Sequence, residues 1–286
     1  MKRTQIVFSL LLVAAGFMDG NARSFGDALK RNEIKFEVVS VPGPRRMLLK
    51  IKNLLNRDTR VSLEPGRFFH NTPSVQPFVI SRPVAIELDA GEEREVPIRA
   101  FCGNSSARCP TMNQRFNKTE MGPANLTEIL QMMDKNRIVG DNLYQQVIWF
   151  YSNKHQLAAI NSYDADEASI NKVLQFICEK ERLKMPAYTI KYKPAATGDE
   201  LQFSGRPDEV EGKLKFNLGN RSDLHIQVLD SLGKQIALLE VHLDQPAGLV
   251  ELPVTLRVVD YPLGDYMVAV SDESGKVLGS MPVKVS

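Results

Sequence analysis

From about Glu33 to Cys102, apolar residues recur at every second position. Met47, Leu49 and Ile51 alternate with Arg46 and Lys50, and Val61/Leu63, Val84/Ile86/Leu88 and Val96/Ile98/Ala100 repeat the pattern. Such alternation predicts strands with one buried and one wet face. Pro42-Gly43-Pro44, Asn56-Arg57-Asp58, Pro65-Gly66 and Gly91 punctuate the runs, so an antiparallel sandwich is expected over residues 23–105. Beyond Cys102 the period becomes helical. Asn125, with Glu128 three residues on, predicts a capped start to the stripe Leu126, Ile129, Leu130 and Met133. A second helix is expected from Asp141 or Asn142 through Phe150, apolar around most of its circumference and therefore buried. A third should run from about Asp166 to Arg182 with Ile170, Val173, Leu174 and Ile177 facing inward. Residues 106–185 thus read as a helical segment packed on the first sandwich.

After Pro186 alternation returns, in Leu214/Phe216/Leu218, Leu224/Ile226/Val228 and Tyr266/Val268/Val270. Asp230-Ser231-Leu232-Gly233-Lys234 and Asp272-Glu273-Ser274-Gly275-Lys276 share one form, Asp-x-x-Gly-Lys. In each, Asp is placed to bond the turn backbone while Gly takes the left-handed conformation, which predicts two hairpins of a second sandwich over residues 190–286.

The chain begins Met1-Lys2-Arg3, continues with the apolar run Ile6 to Ala15, and reaches Gly20-Asn21-Ala22. A basic head, a short apolar stretch and small residues at a junction predict a signal peptide over residues 1–22. Export follows, to the periplasm, the cell surface or the medium. No later segment is apolar for long enough to cross a membrane, so the mature chain is expected to carry no transmembrane segment. The formal charge of +2 falls to +1 when Lys2, Arg3 and Asp19 leave with the first 22 residues. That balance gives no electrostatic case for nucleic acid. Cys102 and Cys109 flank a short polar loop and are candidates for a disulfide in an oxidising compartment, while Cys178 reads as a buried structural thiol.

Two resemblances add expectations. Tyr192 to Leu201, Val228 to Lys234 and Pro262-Leu263-Gly264-Asp265-Tyr266 resemble the signatures of the Ig-like sorting domains of type-nine secretion substrates from Bacteroidetes. The resemblance covers about the last third of the chain and departs at Lys193 and Ala195. It implies an Ig-like sandwich serving export or attachment. Tyr144-Gln145-Gln146-Val147-Ile148-Trp149 is similar to the hydrophobic-Gln-x-x-hydrophobic-Trp pattern of bacterial surface thioester domains. By that match Gln145 would be the acyl donor and Cys102 the thiol of an internal thioester, which an amine on a host surface would open. The alternative is packing: Gln145 and Trp149, four apart on a helix, lie amide against ring.

Other chemistry is thinly marked. His70, His155, His225 and His242 form no His-x-x-x-His pairing, and no Cys-x-x-Cys occurs, so no metal or other cofactor is expected. Nucleophile elbows, Walker loops and dinucleotide fingerprints are absent from the sequence. The acidic clusters Asp89/Glu92/Glu93/Glu95 and Asp164/Asp166/Glu167 leave room for a hydrolase acting through an acidic pair, since such pairs meet only in the fold. The expectation is a mainly β fold with a helical middle section: an N-terminal β-sandwich, a three-helix segment and a C-terminal Ig-like β-sandwich. The expected role is non-catalytic binding or adhesion to an unidentified protein or glycan ligand at the cell surface.

Overall fold

The computed structural model describes residues 22–42, 45–194 and 203–286. The signal-peptide expectation, up to Asn21, and the Ala195–Leu201 part of the sorting signature lie outside the described residues. The fold is mainly β with a helical middle.

The chain opens with β1 (Arg23–Ser24) and a short helix, α1 (Phe25–Lys30), which the alternation does not announce. Ser24 caps it by accepting a bond from the Asp27 N–H at 3.1 Å, and Phe25 is driven fully into the core. Then come β2 (Ile34–Ser40), β3 (Arg46–Asn53), β4 (Thr59–Leu63), β5 (Arg67–His70), β6 (Phe78–Ile80), β7 (Val84–Leu88) and β8 (Glu93–Cys102). Two more strands, β9 (Arg115–Phe116) and β10 (Lys118–Met121), return to the two edges of the larger sheet. The first sandwich therefore takes in residues up to 121. One sheet runs β1-β4-β7 and the other β10-β5-β6-β8-β3-β2-β9. Met47, Leu49, Ile51, Val61, Leu63, Ile86, Leu88, Ile98 and Ala100 pack between them.

Three helices follow: α2 (Ala124–Lys135), α3 (Asp141–Asn153) and α4 (Glu167–Glu181). They cover the outer face of the larger sheet. Phe68, Val79 and Phe101 project from β5, β6 and β8 into a separate core with Leu126, Ile129, Met133, Leu143, Val147, Ile148, Val173 and Ile177. Alternation on β8 explains the division, because Ile98, Ala100 and Cys102 point into the sandwich and Phe101 points at the helices. The aromatic residues Phe68, Phe69 and Phe78 are buried filling, as their spacing in alternating strands requires. Asn125 does not cap α2. It lies inside the first turn and its Nδ2 donates to Glu181 Oε1 on α4 at 2.8 Å, while Pro123 stands at the cap position.

The C-terminal unit comprises β11 (Tyr188–Pro194), β12 (Phe203–Leu218), β13 (Ser222–Leu229), β14 (Gln235–Gln245), β15 (Gly248–Arg257), β16 (Gly264–Asp272) and β17 (Val277–Val285). Sheets β11-β12-β15 and β14-β13-β16-β17, antiparallel throughout, enclose Leu214, Phe216, Leu224, Ile226, Val228, Val268 and Val270. This is an Ig-like sandwich of three plus four strands. Both Asp-x-x-Gly-Lys turns close hairpins of the four-stranded sheet. Asp230 Oδ1 accepts from the Leu232 and Lys234 N–H groups at 2.9 Å each, and Asp272 Oδ1 from Ser274 and Lys276 at 3.0 Å each. Gly233 and Gly275 have φ of 79° and 82°. His225 sits between inward-facing neighbours and so lies on the outer face of its sheet.

Candidate functional site

The helix α3 is the element that positions the site. Its N-terminus has no side-chain cap, because Gly140 stands there with φ 113°. Asp164, from the segment before α4, supplies the cap instead, accepting the Asn142 N–H at 3.0 Å. A Cβ on residue 140 would meet Ala165 Cβ and Asp164 Oδ1 at 2.9 Å, so glycine is what lets the two segments close.

One turn into α3, the Gln145 side chain reaches the end of β8. The Cys102 N–H donates to Gln145 Oε1 at 3.1 Å, and Gln145 Nε2 donates to the Cys102 carbonyl oxygen at 2.7 Å. Both residues are 5% exposed. The carboxamide thus acts as one rung of a β ladder, satisfying both peptide groups of a residue where strand pairing ends. Trp149, on the next turn, is buried into the end of the sandwich core.

These residues line a cleft of about 1180 Å³ between the sandwich, the helices and the C-terminal unit. Cys102, Phe78 and Ala100 come from the first sandwich, Asn142, Gln146 and Trp149 from α3, and Tyr192, Phe203 and Glu211 from the last unit. Cys109 lines the same cleft, and Gln76 Nε2 lies 3.3 Å from its Sγ. All three residues singled out from sequence, Cys102, Cys109 and Gln145, therefore line the one cleft. Cys178 does not join them. It is buried on α4, where burial pushes its thiol up from its ordinary pKa.

The seam beneath the cleft is built from rings and amides. His155, Trp149 and Phe203 form a triangle of tilted rings, with centroids 5.5 Å apart for His155–Trp149 and for Trp149–Phe203 and 4.3 Å for His155–Phe203, and Phe203 meets Tyr192 at 4.8 Å. His155 Nε2 lies 2.9 Å from Ser105 Oγ, and burial lowers its pKa to about 4, so the ring is neutral at pH 7. Gln156 Nε2 donates to Ser286 Oγ at 2.8 Å, and Asn161 Nδ2 donates to the Ile190 carbonyl oxygen at 3.2 Å.

The acidic clusters serve other ends. Asp166 caps α4 through the Ser169 N–H at 2.7 Å, and Glu92 accepts the Asp89 N–H at 2.7 Å and pairs with Arg94. Glu211, in the cleft wall, is held by Lys191 at 2.7 Å. Among the described residues, no group of three or more His, Cys, Asp or Glu is arranged to hold a metal ion. No helix among them is long and apolar enough to cross a membrane.

Sequence reasoning missed the cleft because its walls are brought together by tertiary packing. One signal was available: Tyr163, in the polar run Asn161-Ser162-Tyr163-Asp164, is 88% exposed at the cleft.

No family model matches the chain, and no curated protein matches it. Among solved structures, a β-glucosidase from Kluyveromyces marxianus aligns at 11% identity with a TM-score of 0.22. The alignment covers 84% of this chain and 44% of that one, so this chain spans less than half of that protein's length. A likeness of that size carries no functional argument.

Proposed function

We propose that the protein is an exported binding protein of the cell envelope or medium, acting by contact rather than turnover. Its ligand is a protein or glycan engaged in the cleft, and the C-terminal sandwich serves export or attachment. The observation that carries this reading is the cleft itself. It opens where three parts of the chain meet, it has the volume of a ligand site, and aromatic rings and side-chain amides line it. The N-terminal basic-apolar-small pattern supports export.

A second reading is favoured by one specific contact, the Gln145 carboxamide seated on the Cys102 peptide group. In a thioester adhesin, Cys102 Sγ would attack Gln145 Cδ. A C–S bond forms, the C–N bond breaks, and Nε2 leaves as ammonia with the thiol proton. A surface amine would then displace the thiol and leave an amide. Helix α3 and β8 bring a carboxamide and a cysteine side by side, each 5% exposed.

Intact-mass analysis of the protein from its native host, before and after methylamine, separates the readings. A mass lower by one ammonia, with later gain of methylamine, establishes the thioester; an unchanged mass on methylamine treatment removes it. The same spectrum reports the N-terminus. A chain starting at Arg23 supports export, and one retaining Met1 overturns the exported role.

A further inference from the structure

One end of the cleft collects positive charge beyond what packing requires. Arg46 on β3 stands in register opposite Arg99 on β8, and like charges in directly opposed positions cost stability. Arg45, next in sequence, has φ 57°, and its carbonyl oxygen accepts the Ala100 N–H at 3.1 Å, which fixes it in that left-handed conformation. The Arg45 and Arg99 guanidiniums lie 5.0 and 5.8 Å from the Phe101 ring centroid, and both pair with the one carboxylate of Asp141. Burial lowers the pKa of each, and Arg45 and Arg82 lower Arg99 further by repulsion. Asp164 adds its charge nearby but is also committed to capping α3. On the opposite wall, Lys193 joins Lys191, whose charge Glu209 and Glu211 meet. The balance of these groups is positive.

Resting on the contact-binding reading above, we propose that the ligand of this cleft is an acidic saccharide, with its carboxylate or sulfate held at the Arg45–Arg46 end, where Arg99 stands in register beside Arg46 and adds its charge from outside the lining. Planar guanidiniums bind such groups through paired N–H donors. The exposed Tyr163 ring and the partly covered Tyr192 and Phe203 rings offer faces for the C–H surface of a sugar, and Asn142, Gln146 and Asn161 offer amides to its hydroxyls. An acidic peptide fits less well. A peptide added to the open edge of β11 would need the outward backbone groups of that strand, and Asn161 already occupies the Ile190 carbonyl oxygen.

The test is calorimetry of the full chain as its host secretes it, with polygalacturonate as the carboxylate source and a sulfated glycosaminoglycan as the sulfate source. Dextran and polyglutamate are the neutral and peptide controls. Binding to one or both acidic polysaccharides, with neither control bound, is the expected result. Arg46→Glu should weaken it about tenfold or more with the melting temperature unchanged or slightly raised, since Arg46 is exposed and the change turns its repulsion with Arg99 into attraction. Tyr163→Ala should weaken it severalfold. Equal binding of polyglutamate overturns the saccharide assignment in favour of an acidic peptide. Binding of dextran that is indifferent to Arg46→Glu overturns the anionic assignment and leaves the contact reading standing. Silence towards all four overturns the ligand class, whereas the contact reading itself fails on the mass spectrum.

Discussion

Replacing Gln145 with alanine removes both partners of the Cys102 peptide group in one step. The N–H and the carbonyl oxygen lose bonds of 3.1 and 2.7 Å at a residue 5% exposed. A buried polar group left unsatisfied costs about 1–3 kcal/mol. With two such groups, and with the cleft admitting some water, a loss of about 3 kcal/mol is expected for the first unit. That corresponds to a drop of about 6–12 °C in its melting temperature. The assay is built in, because the chain has a single tryptophan, Trp149, one turn from Gln145 and buried. Its fluorescence in urea or thermal unfolding follows the site and the seam with Phe203 of the C-terminal unit, 5.5 Å away. Gln145→Glu sharpens the test. One carboxylate oxygen keeps the bond from the Cys102 N–H, but the other is turned on the Cys102 carbonyl oxygen, so burial and repulsion raise the new group's pKa. Its folded value then exceeds its unfolded one, and stability present at low pH is lost as pH rises through the folded value. The variant should be weaker than wild type at pH 7 and recover part of the difference at pH 5. If Gln145→Ala unfolds within about 1 °C of wild type, the carboxamide does not hold α3 to β8.

Three further outcomes are expected. His155, with a folded pKa of about 4 against an ordinary 6.5, makes the seam between the helices and the last unit acid-labile. The unfolded ring takes up a proton first, so stability complete above pH 6.5 falls as pH drops towards 4. The loss should be about 1–2 kcal/mol after discount for partial exposure, and His155→Phe should flatten that part of the stability-pH curve; an unchanged curve would refute the assignment. Gly140→Ala, at φ 113° and with 2.9 Å contacts waiting for its Cβ, should destabilise by about 2 kcal/mol or more, and a neutral result in chemical denaturation would show that the α3 cap closes differently. Asp166→Ala should cost about 1 kcal/mol through loss of the α4 cap, read as a lower urea midpoint with an unchanged slope.

The fold was legible where a period repeats. Alternation in Met47/Leu49/Ile51 and in Val268/Val270, the stripes of α2 and α4, and the paired Asp-x-x-Gly-Lys turns each answer to local physics, and the structure places them as that physics requires. The short edge strands β9 and β10 were not legible, because two to four residues as polar as Lys118-Thr119-Glu120 carry no alternation; their partners are set by the sheet they close. The Asn125 cap failed for a similar reason: Pro123 already fixes the helix start, and Glu181 on another helix competes for the amide. In the site, the motif resemblance paired Gln145 with Cys102, and the structure sets the Gln145 carboxamide on the Cys102 peptide group. The cationic end was hidden. Arg46 and Arg99 are far apart in sequence and face each other only through the β3–β8 register.

The central claim is that the chain works by contact outside the cytoplasm, and fractionation of the native host with N-terminal sequencing tests it most directly. The account predicts recovery from the envelope or the medium as a chain beginning at Arg23. Recovery from the cytosol alone, with Met1 and the apolar run still attached, would contradict it.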